Sequence, residues 1–395
     1  MSRTIFISAG EPSGDQHGAA LLKALRRRDA GISAIGFGGP KMMEAGLQAL
    51  ADLTAHAVMW FSRPLAQLRQ FWRFYRMAVE SLREHRPQVV ILIDFPGFHW
   101  HLAKAAKKLG ITVFYYGLPQ LWAWAPWRVK KLRRWVDHTF AWLPFEAPWL
   151  EHHGCRVTYV GHPFFDEAAS HTFDSTFVAR FQGSRPLLVL LPGSRDQEVS
   201  ASAPLMLRTV QHLREAIPSL HVAVAAFRPE QAKRVQNLAE DIQLPLEVFA
   251  GKTPELIRAA DCCLAVSGSV SLELLYHEKP TVIVYRIGRL AYHVQSWFRR
   301  VKYITLVNLL KYGGEQAAYL SPRDHNTPDP ENALFPEFLT YRDCSRQMAD
   351  CLQRWLIDTA AQEEVIKELR QLKTSLAWEG AVDRAAEAIH GFLVQ

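Results

Sequence analysis

The sequence predicts an α/β protein built from two Rossmann-like, doubly wound domains facing a cleft. Three observations carry this. Short apolar runs alternate with turns and helix-patterned stretches, as in parallel strands covered by helices. The alternation pauses in a polar stretch, Asp166–Pro186, and restarts at Leu187. The 395 residues also exceed the roughly 100–200 that one compact core usually holds.

In the first half, the apolar runs Thr4–Ser8, Val89–Ile93, Thr112–Tyr116 and Thr139–Leu143 read as strands. Helices are expected from about Gly18 to Arg27, Phe98 to Lys108 and Pro126 to Trp135. In the second half the strands are Leu187–Leu191, Val222–Ala226, Leu246–Phe249, Cys263–Val266 and Val282–Tyr285. A proline-rich loop, Ser321–Asn332, precedes two apolar-periodic helices near Asp343–Leu356 and Ala361–Leu393. The expected domains are residues 1–170 and 185–340, followed by helices over 341–395. Ligands in this architecture gather at the carboxyl ends of the strands.

Hydrophobic residues at 49% and charged residues at 22% exclude a disordered or fibrous chain. A net charge of +7 and a pI near 9.1 favour acidic partners such as phosphates or anionic membrane. The N-terminus turns polar and Gly-rich too early for a signal peptide. No window holds the ~18 apolar residues of a membrane span. The expected location is therefore cytoplasmic. The five cysteines lack metal-ligand spacing, so no metal is predicted. Cys262 and Cys263, adjacent in an apolar run, read as buried thiols in a strand.

Four stretches could carry chemistry. The first strand runs into Gly10-Glu11-Pro12-Ser13-Gly14-Asp15, with Gly18 beyond. Glycines there let a backbone approach a ligand, but the spacing is not GxGxxG and two acids stand where a pyrophosphate would lie. A tight turn with Glu11 toward a sugar hydroxyl fits better. Asp94 ends the apolar strand VVILID before Pro96 and Gly97. It suits a general base, because partial burial raises a carboxyl's affinity for a proton. It suits a helix N-cap equally well.

The third stretch is a pair of strand-turn-helix segments in the second half. One is Gly193-Ser194-Arg195; the other is Ser267-Gly268-Ser269, with Glu273 a turn into the helix. Together they suggest a nucleotide diphosphate held by an arginine and helix N-termini, with Glu273 toward a ribose diol. The fourth is Trp60–Arg76, with four arginines and no acid. Leu65, Leu68, Trp72 and Tyr75 share one helical face, and Arg69, Arg73 and Arg76 a neighbouring one. That is an interfacial membrane pattern, unless the face is core. Trp127–Trp135 repeats the theme. No nucleic-acid-binding motif accompanies these patches, so no nucleic acid is expected.

The ordered set AGEPSGDQHGA (9–19), GFGGPKMMEAG (36–46), IDFPGFH (93–99), LPQLWAWAPWRVKKL (118–132), LPFE (143–146), YVGHP (159–163), LLPGSRDQEV (190–199), SGSVSLE (267–273) and NLL (308–310) resembles the lipid-A-disaccharide synthase family. The resemblance implies a GT-B glycosyltransferase fold whose last helix returns to the first domain. It implies inverting, metal- and cofactor-independent transfer of 2,3-diacylglucosamine from its UDP donor. The acceptor would be the 6-hydroxyl of 2,3-diacylglucosamine 1-phosphate (lipid X), with a β-1,6 disaccharide 1-phosphate and UDP as products. It implies work at the inner face of the cytoplasmic membrane. By the same resemblance Asp94 matches the base, Arg195 the phosphate-region arginine, and Glu11 and Asn308 other polar cleft residues; Ser13 and Gly14 join the substrate side. The chain departs from the family pattern at Leu118-Pro119, Val307, Ser269 and Thr340. Rival readings are a UDP-sugar 2-epimerase and a membrane-docking paralogue without catalysis. A homodimer is compatible with the sequence, which sets no oligomeric state.

Overall fold

The computed structural model describes residues 3–57, 64–181, 183, 186–299, 301–312, 333–376 and 379–394; the side chains of 56–57, 64–68, 124 and 298 are not included. Expectations for Trp60, for the side chains of Leu65 and Leu68, and for the Ser321–Asn332 loop therefore lie outside the described residues.

The chain forms two units, Met1–Asp166 with Trp378–Gln395, and Glu167–Ala377. The first holds strands β1 (Arg3–Ala9), β2 (Ile32–Phe37), β3 (Leu47–Ala51), β4 (Val89–Ile93), β5 (Thr112–Tyr116), β6 (His138–Ala141) and β7 (Val157–Tyr159). The second holds β8 (Leu187–Leu191), β9 (His221–Ala226), β10 (Glu247–Ala250), β11 (Cys262–Val266), β12 (Thr281–Arg286) and β13 (Glu337–Thr340). Every strand pairing in both sheets is parallel. The first sheet runs β3-β2-β1-β4-β5-β6-β7 and the second β10-β9-β8-β11-β12-β13. In each, the order reverses beside the first strand, the doubly wound topology.

Burial explains the strand sequences. In β8, Leu188 and Leu190 enter one core, while Leu187, Val189 and Leu191 enter the other. A sheet covered on both faces needs an unbroken apolar run. Cys262 and Cys263 in β11 are fully buried, one in each of those cores.

Several boundaries differ from expectation. The first helix starts at Pro12 rather than near Gly18, because Pro12 opens it with φ already helical and Glu11 in extended backbone. The Asp166–Pro186 stretch is not a plain linker: it contains the helices Phe164–Ser170 (in part) and Ser175–Ala179. Among the described residues three helices follow β13, not two: Ser345–Ile357, Thr359–Leu376 and Ala381–Val394. The break is at Gly380, whose φ of +88° suits glycine. The last helix packs Val382, Ala385, Ala386, Ile389 and Leu393 into the first unit's core. Asp166 anchors its start, accepting from the amides of Gly380 at 2.5 Å and Val382 at 2.9 Å.

Candidate active site

The two reversal points place the predicted residues. In the first sheet β1 and β4 lie side by side, with Ala9 paired to Ile93. Gly10-Glu11 and Asp94 therefore emerge together at the carboxyl end. Gly10 is required there, because a Cβ would stand 2.3 Å from the Phe95 ring. In the second sheet Leu191 pairs with Ala265. That brings Gly193–Arg195 and Ser267–Ser269 to one edge. Parallel sheets open a crevice where the winding reverses.

Asp94 is not a helix N-cap. Phe95 holds that position for the Pro96–Lys108 helix and makes no side-chain cap bond. Asp94 and Phe95 both adopt left-handed backbone, with φ of 48°. Such residues cost about 1–3 kcal/mol each and need support from their surroundings. The support converges on the Asp94 carbonyl oxygen. It accepts from Tyr115 Oη at 2.6 Å and lies 2.6 Å from His99 Nδ1. A carbonyl only accepts, so His99 Nδ1 carries the hydrogen. Burial lowers the His99 pKa to about 4, so the ring is neutral and its Nε2 is bare. Nε2 then accepts from Ser8 Oγ, 2.8 Å away. Ser8, His99 and Tyr115 are all 0% exposed. At roughly 1 kcal/mol per bond these contacts offset much of the strain.

The same surroundings tune the carboxylate. Burial raises the Asp94 pKa to about 6, the negative charge of Glu11 pushes the same way, and the Phe95 amide opposes them. A carboxylate so placed is a stronger base than an exposed one, yet is still ionised near neutrality. Around it, Glu11 is half-buried, Ser13 is exposed and Gly14 is buried against Ala9. Asp15 serves the fold: its carboxylate takes the amides of Gly39, Lys41 and Met42 at 2.8–3.1 Å. Glu146 of the LPFE stretch is likewise structural. It accepts from Trp122 Nε1 and from the Trp142 and Leu143 amides, and burial raises its pKa to about 7.

In the second unit exposed and buried polar groups are mixed. Gly193 has φ of 114°, and a Cβ there would meet Glu198 at 2.7 Å. Ser194 and Arg195 are exposed at the start of the Asp196–Ala216 helix. Their amides both donate to Glu198 Oε2, at 3.1 and 3.2 Å, and Arg195 Nη1 donates to Oε1 at 2.9 Å. Glu198, missed in the sequence, thus fills the anion position at this turn with an internal carboxylate. Ser267 is half-buried, Gly268 and Ser269 are exposed, and Glu273 follows in the Val270–Tyr276 helix. Burial raises the Glu273 pKa to about 7, aided by the like charges of Glu167 and Glu255.

Asn308 is held by the protein's own groups. It is 0% exposed, not an open polar residue. Its Nδ2 donates to the Phe335 carbonyl and to Glu337 Oε1, both at 2.7 Å, and its Oδ1 accepts from the Phe335 amide at 2.9 Å. Glu337 also takes the amides of Ile304 and Thr305. The pair ties the Leu306–Lys311 helix to β13, so Asn308 shapes the site's backing and its amide is already spent.

The aromatic-basic segment divides between core and surface. In the Pro64–His85 helix, Phe74, Ala78 and Leu82 are buried at i, i+4, i+8. Arg69, Arg73 and Arg76 are exposed. Trp72 is 52% exposed, and Tyr75 packs edge-on against it at 5.6 Å. Trp127 is 54% exposed among the basic residues that follow it. Among the described residues no helix is long and apolar enough to cross a membrane. None of their His, Cys, Asp and Glu form a group of three or more able to hold a metal.

The lipid-A-disaccharide synthetase family model matches residues 5–317. The chain belongs to the lipid-A-disaccharide synthase family. It is a glycosyltransferase of lipid A biosynthesis. A lipid-A-disaccharide synthase of Anaeromyxobacter dehalogenans (strain 2CP-1) is 34% identical over 391 residues, 98% of this chain and 97% of the relative. Among solved structures, the S. aureus MnaA–UDP complex superposes with a TM-score of 0.64 at 12% identity, covering 100% of this chain and 97% of that one. A calicheamicin glycosyltransferase gives 0.60 at 16%, covering 100% and 98%. At such identities these structures establish the shared two-unit α/β fold alone. The family match, not the fold, separates a transferase from an epimerase.

Proposed function

We propose that the chain transfers 2,3-diacylglucosamine from its UDP donor to lipid X, with Asp94 as general base. Asp94 takes the proton from the acceptor's 6-hydroxyl as that oxygen attacks the anomeric carbon. A new C1–O6 bond forms with inversion, and the bond from C1 to the diphosphate breaks with its electron pair leaving on UDP. Arg195 stabilises the charge growing on the diphosphate, as a preorganised cation does wherever charge develops in a transition state. Ser194, Ser267, Gly268 and Ser269 complete the phosphate side, with Gly193 allowing close approach, and Glu273 takes the ribose diol. For the diphosphate to use the Ser194 and Arg195 amides, it must displace Glu198. Glu11, Ser13 and Gly14 lie on the acceptor side. The chain works at the cytoplasmic face of the inner membrane, and the exposed Arg69, Trp72, Arg73 and Arg76, with Tyr75, contact it.

The carrying observation is the Asp94 carboxylate: at the winding reversal, with pKa raised to about 6, on a backbone pinned by two buried donors. The test incubates purified protein with UDP-2,3-diacylglucosamine and lipid X and reads products by mass spectrometry. A disaccharide 1-phosphate formed by wild type but not by Asp94→Asn supports the reading. Equal formation by both removes Asp94 from the mechanism.

A further inference from the structure

The Arg289–Phe298 helix leaves β12 after a two-residue turn and presents an apolar stripe to solvent. Leu290 is 80% exposed, Val294 47% and Trp297 79%. Their spacing of i, i+4, i+7 places them on one face. The far face is held by the protein: Tyr292 meets Tyr341 edge-on at 5.1 Å, and Arg299 at the helix end is buried. Single exposed apolar residues are ordinary, but a stripe of three including tryptophan marks a contact surface. The segment that carries it is basic. From Lys279 to Lys311 the sequence contains no Asp or Glu, and Arg289, next to Leu290, is exposed.

We propose that this helix is a lipid-contacting element of the second unit, lying in the headgroup layer of an anionic bilayer with Leu290, Val294 and Trp297 toward the acyl chains. The inference rests on the membrane reading above and extends it to a surface that the sequence did not single out. A bilayer suits the geometry. An isolated acyl chain needs walls that cover it, whereas these side chains project from the outer face of a helix. Tryptophan favours the headgroup level, and a basic segment complements anionic lipid.

The test measures co-sedimentation with vesicles of phosphatidylethanolamine and phosphatidylglycerol, and with neutral phosphatidylcholine vesicles, at low and high salt. Replacing Leu290, Val294 and Trp297 together with Ser should weaken binding roughly 100-fold at both salts, since apolar burial is not screened. Arg289→Ser should weaken it by about fivefold on anionic vesicles at low salt only. Trp297→Ser alone, at a position too exposed to unfold the core, should cost about tenfold and stands if the triple variant misfolds by circular dichroism. A folded triple variant that binds like wild type, while replacing Arg69, Arg73 and Arg76 with Ser weakens binding, overturns this helix and leaves the membrane reading intact. Wild type that binds neither vesicle overturns both. Loss of self-association in the triple variant with vesicle binding unchanged assigns the stripe to a second copy of the chain and overturns the lipid assignment.

Discussion

The carboxyl end of the first sheet buries the groups that support its aspartate, whereas that of the second leaves its arginine exposed. Around Asp94 the supporting groups Ser8, His99 and Tyr115 are 0% exposed, and the titratable ones are shifted by burial. At the second sheet's end 68% of the Arg195 side chain is accessible, against 16% for its partner Glu198. The contrast fits the two tasks proposed above. Moving a proton needs a carboxyl whose affinity for it has been raised, and desolvation does that. Holding a diphosphate, the role proposed for the other end, needs an accessible cation, and there the Ser194 and Arg195 amides must first be released from Glu198.

The comparison breaks most sharply at Asp94. Asp94→Asn should lower kcat by ~10²–10⁴ with donor affinity nearly unchanged. A turnover number near wild type at saturating substrates would show that the buried end does no proton chemistry. Arg195→Ala should lower kcat by ~10²–10³ and weaken UDP binding, measured by calorimetry, because it removes a donor aimed at developing charge. Unchanged UDP affinity would move the diphosphate elsewhere.

His99→Ala should lower kcat by ~10² without touching substrate, since a base displaced by about an ångström loses that much. Tyr115→Phe should cost less, because His99 still donates to the same carbonyl. If neither variant alters kcat or its pH profile while Asp94→Asn is inactive, the pinned backbone is structural only. For wild type, kcat/KM should rise with pH through about 6 as Asp94 loses its proton. Glu11→Gln removes a like charge, so the ionised Asp94 becomes easier to form and this limb should move to lower pH. A limb that stays in place means that burial alone sets it. At the surface, replacing any one of Arg69, Arg73 and Arg76 with Ser should weaken anionic-vesicle binding by only roughly 1 kcal/mol at low salt, and little at high salt.

Much of the fold was legible because strands buried on both faces must be apolar throughout, as at Val89–Ile93 and Leu187–Leu191. Strands β2, β3, β7 and β13 were not. ISAIGF and LQALA mix small and polar residues, and VTY and EFLT are too short for a period to emerge. These sequences form strands because a neighbour supplies the ladder, which is a tertiary fact.

The candidate site divides along the same line. The sequence by itself determined where the chain turns from strand to helix, and hence that Asp94, Gly193–Arg195 and Ser267–Ser269 lie at strand ends. Those signals are local: an apolar run, then glycine, proline or a small polar residue. Only the tertiary structure decided which strand ends adjoin, because β1 meets β4 across some 80 residues. It alone showed that Ser8, His99 and Tyr115 converge on one carbonyl, that Glu198 occupies an anion position, and that Asn308 is spent on Phe335 and Glu337. A side chain's chemistry is written in its residue type. Its burial, its partners and therefore its pKa belong to whatever the fold brings against it.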